Sequence, residues 1–341
     1  MTTVYPQSCV RTPKMNNPSD SDAPSPGNSP EVTRLAPSPT GALHLGNAFA
    51  FVINWALARK HGWHIALRVE DLDTPRVKPG VIEQTISTLD WLGLDWDSGP
   101  TTQSDRIENY ACAMEKLAKK GLVYPCELSR SQIQQAASAP HVGEKGHHEV
   151  RFPPELRARV FPDRFEVSET SWRLRVDPRV ISYVDKHMGE QEFDLDRITG
   201  DFAVWTKRGT PSYQLAVVVD DAAIGVTQVV RGNDLLDSAA RQILIYENLE
   251  LGPIPSYTHL PLIRGEDGRR LAKRHGETKI DSYMVAGVSR DRIIGLLAYW
   301  SGILDQRTPM SIEEFLERFS LDTLPQEDLV FTDEDNAWLR A

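Results

Sequence analysis

The fold is decided by one stretch near the N-terminus, which reads Arg34-Leu35-Ala36-Pro37-Ser38-Pro39-Thr40-Gly41-Ala42-Leu43-His44-Leu45-Gly46-Asn47. Residues 31–36 predict a short strand, the prolines and Gly41 predict a turn, and the apolar run at 48–57 predicts a buried helix. A helix N-terminus carries positive dipole density and unpaired N–H groups, so the start of this helix is suited to bind phosphate.

Two side chains of this stretch bear on that chemistry. His44 is a candidate donor to a phosphoryl oxygen on which charge develops. Gly46 has no Cβ that would hold a nucleotide away from the backbone. The alternative interpretation is an ordinary strand-to-helix turn in which His44 only caps the helix.

Strand and helix signals alternate after this stretch, as in parallel α/β sheets. Residues 65–69 predict a second strand. Helical spacings follow over 82–92 and 107–117, and Gly93 and Gly121 mark the expected helix ends. The sequence therefore predicts an α/β fold with a doubly wound parallel, Rossmann-like sheet.

The alternation breaks after residue 123. The segment 124–199 is rich in proline and charge and predicts an inserted α+β subdomain, after which the α/β pattern resumes with the apolar run 215–219 and a helical run at 235–249. The predicted units are a disordered Ser/Pro/Asn-rich tail (1–30), the first half of the core (31–123), the insertion (124–199), the second half of the core (200–310) and an acidic C-terminal extension (311–341).

Composition limits the possible classes of protein. Of 341 residues, 40% are apolar and 25% charged, which is typical of a soluble globular chain with a sizeable core. The N-terminus has no apolar signal segment, and three scattered cysteines make a disulfide framework improbable, so we expect a cytoplasmic protein. The net charge of −10 disfavours general nucleic-acid binding but permits one RNA bound through a local basic surface.

A second motif, the basic loop, reads Arg269-Arg270-Leu271-Ala272-Lys273-Arg274-His275-Gly276. Four cations between glycines are suited to close over a polyphosphate, and a lysine acts there as a mobile point charge. The alternative is a solvated basic loop without a ligand.

Together the two motifs resemble the class I aminoacyl-tRNA synthetases, whose HIGH and KMSKS elements flank the nucleotide. The strings between them place the resemblance in the glutamyl-tRNA synthetase branch; they are Arg68-Val69-Glu70-Asp71-Leu72-Asp73, Tyr213-Gln214-Leu215-Ala216-Val217-Val218-Val219-Asp220-Asp221 and Val230-Arg231-Gly232-Asn233-Asp234-Leu235. The resemblance covers residues 34–299 and implies a class I catalytic core with an inserted acceptor-binding-like subdomain.

The resemblance also implies roles for individual residues. The implied glutamate-binding residues are Arg34, Leu35, Ala36, Pro37, Ser38, Glu70, Tyr213 and Arg231. The implied ATP-binding residues are His44, Gly46, Asn47 and Lys273, of which His44 and Lys273 are the catalytic candidates. The HIGH-like motif comprises Pro37, His44, Leu45, Gly46 and Asn47, and the KMSKS-like motif Arg270, Leu271, Ala272, Lys273 and Arg274.

These residue types fit glutamate, which has two carboxylates and one ammonium group. Arg34 and Arg231 can form bidentate pairs with carboxylates, Glu70 can pair with the ammonium group, and the Tyr213 hydroxyl can complete the cage. Which arginine takes which carboxylate stays open. The KMSKS-like motif is degenerate and keeps only the second lysine, Lys273.

Within this branch the chain is most similar to the short paralogues that glutamylate the queuosine base at the wobble position of tRNA(Asp). Because only residues 274–341 follow Lys273, we expect no anticodon-binding domain. The resemblance implies a monomeric ligase that activates L-glutamate with ATP and Mg²⁺ without tRNA and then transfers it to queuosine.

Two other functions remain open. One is a truncated glutamyl-tRNA synthetase that charges tRNA(Glu) or tRNA(Gln). The other is a non-catalytic RNA-binding paralogue, which the retained amino-acid cage disfavours because a mere binder does not need one.

A zinc site that is frequent in the family is incomplete in this sequence. Cys126 is followed by Leu128 where a second cysteine is expected, and a single thiolate is a poor anchor for zinc. We therefore predict that the protein holds no stoichiometric zinc, with His141, His147 and His148 as the alternative ligands if it does.

Overall fold

The computed structural model describes residues 30–39, 41–73, 77, 79–137, 150–269, 271 and 278–341. The strands in this part of the chain are β1 (Val32–Leu35), β2 (His64–Val69), β3 (Ser98–Thr102), β4 (Val123–Cys126), β5 (Ser171–Leu174), β6 (Val180–Asp185), β7 (Gly189–Asp194), β8 (Phe202–Trp205), β9 (Gln228–Gly232), β10 (Ser256–Leu260), β11 (Ile263–Gly265) and β12 (Leu329–Phe331). The helices are α1 (Leu45–His61), α2 (Val81–Trp91), α3 (Ile107–Lys119), α4 (Arg130–Ala137), α5 (Leu195–Ile198), α6 (Tyr213–Ile224), α7 (Leu236–Leu249), α8 (Ile280–Val285), α9 (Arg290–Trp300), α10 (Ile312–Arg318) and α11 (Asp333–Arg340). None of these helices is both long and apolar enough to cross a membrane.

The core consists of two sheets that lie edge to edge, and the chain path reverses where they meet. On one side β1, β2 and β3 pair in parallel, and on the other β9 and β10 do. The two sides meet where β1 lies beside β9, with the Thr227 N–H donating to the Val32 carbonyl oxygen at 2.9 Å. Helix α1 leads from β1 outward to β2 and helix α7 leads from β9 outward to β10, so β1 and β9 flank a topological switch point. This arrangement confirms the predicted doubly wound parallel sheet.

Helix α1 lies inside the core because it is apolar on nearly every side. Its buried residues include Phe49, whose ring contacts that of Trp300 in α9 with the centroids 6.3 Å apart. The helix ends at Gly62, which adopts a left-handed φ of 68° that few other residues tolerate. The strand and helix signals at the N-terminal end of the sequence correspond to β1, α1, β2, α2 and α3, whereas the apolar run 215–219 lies within helix α6.

The chain between α3 and α6 contributes strands to two different sheets. Strands β4, β5 and β8 form an antiparallel sheet. The β6–β7 hairpin instead joins the core, because β6 pairs in parallel with β10 through Asp185 and Tyr257. Part of the segment predicted as an insertion therefore extends the core sheet.

The C-terminal segment packs back onto the core. Phe315, Phe319 and Leu339 are buried in the same cluster as α1. Strand β12 pairs in parallel with β11, and the Asp328 carboxylate accepts hydrogen bonds from the Leu262 N–H at 2.9 Å and from the Asn233 side chain at 2.8 Å. The acidic extension is thus tied to the loop that follows β9.

Candidate active site

A pocket of about 650 Å³ opens at the switch point, beside the carboxyl ends of β1 and β9. In open α/β sheets this is where ligands bind. The residues that both line this pocket and belong to the sequence-predicted sites are Arg34, Ala36, Ser38, His44, Gly46, Asn47, Glu70, Tyr213, Arg231 and Leu271. The structure therefore brings together most of the residues that were assigned to glutamate and to ATP.

The remaining predicted residues have other positions. Leu35 and Leu45 are completely buried in the core. Pro37 is buried, and its carbonyl oxygen accepts a hydrogen bond from the Glu70 N–H at 3.0 Å, which links the turn after β1 to the end of β2. Arg270, Ala272, Lys273 and Arg274 lie outside the described residues.

Both ends of the basic loop are nevertheless anchored at the pocket. At the third residue of the loop, the Leu271 N–H donates to the Ile263 carbonyl oxygen at 3.1 Å. After the loop, the Thr278 carbonyl oxygen accepts from the N–H of Leu45, a residue of the HIGH-like motif, at 3.0 Å. Thr278 and Lys279 line the pocket too. The chain between these anchors begins and ends next to the predicted nucleotide site.

His44 caps helix α1. Its Nδ1 accepts hydrogen bonds from the Gly46 N–H at 3.1 Å and from the Asn47 N–H at 3.3 Å, while the Asn47 side-chain oxygen accepts from the His44 N–H at 3.1 Å. The N–H groups that the sequence predicted to be unpaired are therefore occupied by the cap. Because Nδ1 accepts, the neutral ring carries its proton on Nε2, which is the tautomer that can donate to a phosphoryl oxygen.

Gly46 lies directly beside the capping ring of His44. A Cβ at position 46 would stand 3.1 Å from the His44 Cε1 and 3.2 Å from its Nδ1, closer than side chains normally approach. The glycine thus makes room for the imidazole ring, in addition to any room it leaves for a nucleotide.

Arg34 and Glu70 belong to one buried network of charges. Arg68, which is completely buried, donates to Asp221 and also to the Glu70 Oε1 at 3.1 Å. Asp221 in turn lies 3.4 Å from the Arg34 Nε. Burial raises the pKa of Glu70, and the charges of Arg68 and Arg34 oppose that shift. A ligand ammonium group would add a second source of positive charge beside this carboxylate.

Arg231 has a different set of partners. Its Nε donates to His259 at 3.0 Å, its Nη1 to Gln242 at 2.8 Å and its Nη2 to the Leu235 carbonyl oxygen at 3.2 Å. No carboxylate among the described residues forms an ion pair with it, although the side chain is buried. A buried guanidinium with neutral partners is suited to receive a carboxylate from a ligand.

A second cavity of about 1000 Å³ is contiguous with the first. Ser38, Glu70 and Tyr213 line both, and Tyr213, at the first turn of α6, is 39% exposed. The basic side chains that line the second cavity are Arg130, Lys207, Arg208 and Arg241. The acidic side chains that line it are Glu70, Asp73, Asp234 and Asp237, so the cavity is mixed in charge.

The residues that support the site were not singled out from the sequence. Asn54 donates to the Arg34 carbonyl oxygen at 2.9 Å and so fixes the end of β1. Arg68 and Asp221 stood in the strings that carried the family resemblance, but no role was assigned to them. For His259 and Gln242 no sequence signal existed, because they reach the site through contacts with Arg231 that form only in the folded chain.

The described part of the chain contains no group of three or more His, Cys, Asp or Glu side chains able to hold a metal ion. Cys126 is buried in β4 beside Tyr124 and Phe152. His141, His147 and His148 lie outside the described residues, so the predicted absence of zinc stays a prediction.

Comparison with known proteins decides the family. The model of the catalytic domain of class I tRNA synthetases (E and Q) matches residues 31–335, nearly the whole described chain. The chain belongs to this family. It is therefore a class I tRNA synthetase-like ligase, as the two motifs predicted.

Individual relatives refine the comparison. The glutamyl-Q tRNA(Asp) synthetase of Symbiobacterium thermophilum is 44% identical over 86% of this chain and 94% of that protein. The protein of the same name from Nitratidesulfovibrio vulgaris is 40% identical over 87% of this chain and 94% of that protein. The glutamate–tRNA ligase of a Synechococcus strain is 36% identical over 79% of this chain but only 56% of its own length.

Solved structures agree on the fold. A glutamate tRNA ligase from Elizabethkingia meningosepticum, in complex with its amino acid, superposes with a TM-score of 0.74 at 24% identity. The superposition covers 91% of this chain and 69% of that one. At this identity the likeness supports the class I core alone.

Proposed function

We propose that this protein activates L-glutamate with ATP in the absence of tRNA and transfers it to the queuosine base at the wobble position of tRNA(Asp). The first half of this proposal, the activation of glutamate, rests on the pocket at the switch point. Two arginines, Glu70 and the Tyr213 hydroxyl surround one space there. The second half is supported by relatives that bear the glutamyl-Q tRNA(Asp) synthetase name and are matched over 94% of their length.

The charge pattern of the pocket matches glutamate. Arg231, which lacks an acidic partner among the described residues, supplies a positive charge for one carboxylate. Arg34 is a second guanidinium, held by Asp221, and Glu70 faces the same space as a partner for the ammonium group. Glutamine, with a neutral amide in place of one carboxylate, would leave a buried guanidinium without its anion.

In the first step, an α-carboxylate oxygen of glutamate attacks the α-phosphorus of ATP, the bond to the bridging β-phosphate oxygen breaks, and pyrophosphate leaves. His44 Nε2–H and Lys273 are the groups proposed to stabilise the charge on the phosphate oxygens. Mg²⁺ is proposed to enter as part of the MgATP substrate.

In the second step, a hydroxyl of the queuosine ring attacks the carbonyl carbon of glutamyl-adenylate. The carbonyl–phosphate bond breaks, AMP leaves, and an ester forms while the hydroxyl proton passes to solvent or to the leaving phosphate. The second cavity, which adjoins the pocket at Tyr213 and is lined in part by arginine and lysine side chains, is the proposed place for the anticodon arm.

The first half is tested by ATP–pyrophosphate exchange with purified protein and no tRNA. L-Glutamate is expected to support exchange, and L-glutamine to be at least about tenfold poorer, since an unpaired buried charge costs about 1–3 kcal/mol or more. Equal exchange with both amino acids would contradict the assigned pocket.

The second half is tested with labelled glutamate and tRNA(Asp) with and without queuosine. Label is expected only on the queuosine-containing tRNA. Transfer is also expected to weaken steeply with salt, as for binding through a local basic surface. Charging of unmodified tRNA(Glu) with comparable efficiency would instead identify a truncated glutamyl-tRNA synthetase.

A further inference from the structure

We propose that Asp185 and His259 form a relay that fixes the orientation of Arg231, which makes both of them positioning residues for the substrate carboxylate. The inference rests on the proposed function for the identity of that carboxylate. Neither residue lines the pocket, and both act through Arg231.

The first link is the bond between Arg231 and His259. The Arg231 Nε lies 3.0 Å from the His259 Nε2, and both side chains are buried. Arginine has no acceptor atom, so His259 Nε2 must accept this bond and carries no proton. Its proton is therefore on Nδ1.

The second link holds that tautomer in place. His259 Nδ1 lies 2.6 Å from the Asp185 Oδ2, which accepts its proton. Burial lowers the pKa of His259, and the adjacent Arg231 charge lowers it as well. These two effects outweigh Asp185, which raises the pKa, so the neutral ring is favoured. Although burial alone raises the pKa of Asp185, hydrogen bonds from His259 and from the Met188 N–H bring it below its usual value. The pair is a neutral imidazole and an ionised carboxylate.

Asp185 is itself rigidly held. Its Oδ1 accepts from the backbone N–H groups of His187 at 3.0 Å, Met188 at 2.8 Å and His259 at 3.1 Å. These bonds fix the turn of the β6–β7 hairpin and the start of the relay. The hairpin belongs to the segment between the two halves of the core, so the relay connects that segment to the active site.

The relay leaves the positive charge of Arg231 available to a ligand. Arg34 and Arg68 both contact the carboxylate of Asp221 directly, whereas Arg231 reaches Asp185 only through the imidazole. The described contacts use three of its five N–H groups, all with neutral acceptors, and its guanidinium carbon lies 5.3 Å from the centre of the Tyr257 ring. Arg231 is thus held on several sides while its charge has no direct anionic partner among the described residues.

The decisive variant is Asp185→Asn, which preserves shape. An asparagine amide N–H₂ turned toward His259 would require Nδ1 to accept, which moves the ring proton to Nε2, where it would face the Arg231 Nε–H. We expect KM for glutamate in the exchange reaction to rise by about tenfold or more, because Arg231, which binds the substrate carboxylate, loses a charge-assisted hydrogen bond. KM for ATP is expected to stay within about twofold.

A second pair of variants separates positioning from folding. His259→Leu removes the acceptor and is expected to raise the glutamate KM as Asp185→Asn does, while His259→Gln, whose side-chain oxygen can accept from Arg231, is expected to recover part of the loss. The matched control is Thr258→Val, in the same strand, equally buried and on the opposite face of the sheet. It is expected to leave both KM values unchanged.

The ¹⁵N NMR spectrum of His259 tests the relay independently of activity. We expect an Nδ1-protonated neutral imidazole in the wild type at neutral pH and an Nε2-protonated one in Asp185→Asn. Wild-type protein that shows this tautomer but no glutamate-dependent exchange would overturn the proposed function and leave the relay standing. An Nε2-protonated ring in the wild type, or unchanged glutamate KM in folded Asp185→Asn and His259→Leu, would overturn the relay.

Discussion

Replacing Lys273 by alanine is expected to slow glutamate-dependent ATP–pyrophosphate exchange by about 100-fold, the usual effect of removing one preorganised group that stabilises transition-state charge. The described residues nearest to Lys273 on either side, Leu271 and Thr278, both line the pocket. A lysine there would act on the polyphosphate rather than on the amino acid, so the rate is expected to fall far more than the apparent affinity for glutamate.

Two further variants make this measurement specific. Lys273→Arg retains the charge and is expected to lose less activity than the alanine variant. Lys119→Ala removes an exposed lysine of α3 whose ionic partner among the described residues is Glu115 in the same helix, and it is expected to have no effect on exchange. A Lys273→Ala rate within about twofold of the wild type would show that the degenerate loop is not the working KMSKS counterpart.

Asp221→Ala is expected to lower the free energy of unfolding by about 3–5 kcal/mol, because it leaves buried arginine charges uncompensated. Asp221 is the shared partner of Arg68 and Arg34, and all three side chains are nearly inaccessible. Urea denaturation monitored by tryptophan fluorescence gives the size of the loss. Asp221→Asn keeps an oxygen for hydrogen bonding and is expected to lose less.

An exposed ion pair provides the matched comparison. Glu247 pairs with Arg179, and both side chains are well exposed. Because solvent screens such a pair, Glu247→Ala is expected to change the free energy of unfolding by no more than about 1 kcal/mol. If Asp221→Ala cost as little as Glu247→Ala, the buried network would be shown to contribute nothing beyond an ordinary surface pair.

Local sequence patterns predicted the elements that begin the core. The strand predicted before the turn at residue 36 is β1, and the apolar run at 48–57 lies within α1. The glycines predicted to end helices follow α2 and α3. The run at 215–219 forms a helix, since five consecutive apolar residues fit a buried helix as well as a buried strand. The pairing of β6 with β10 followed from no local pattern, because it joins segments far apart in the chain.

The sequence by itself determined the family, the parallel α/β core and the residue types that can recognise glutamate and a polyphosphate, because these follow from short motifs and local periodicity. Only the tertiary structure decided which of those residues meet. It showed that His44 uses Nδ1 to cap α1, that Asp221 holds Arg34, and that Arg231 depends on His259 and Asp185. These contacts join residues that are distant in sequence, and they exist only once the strands have paired in their final order.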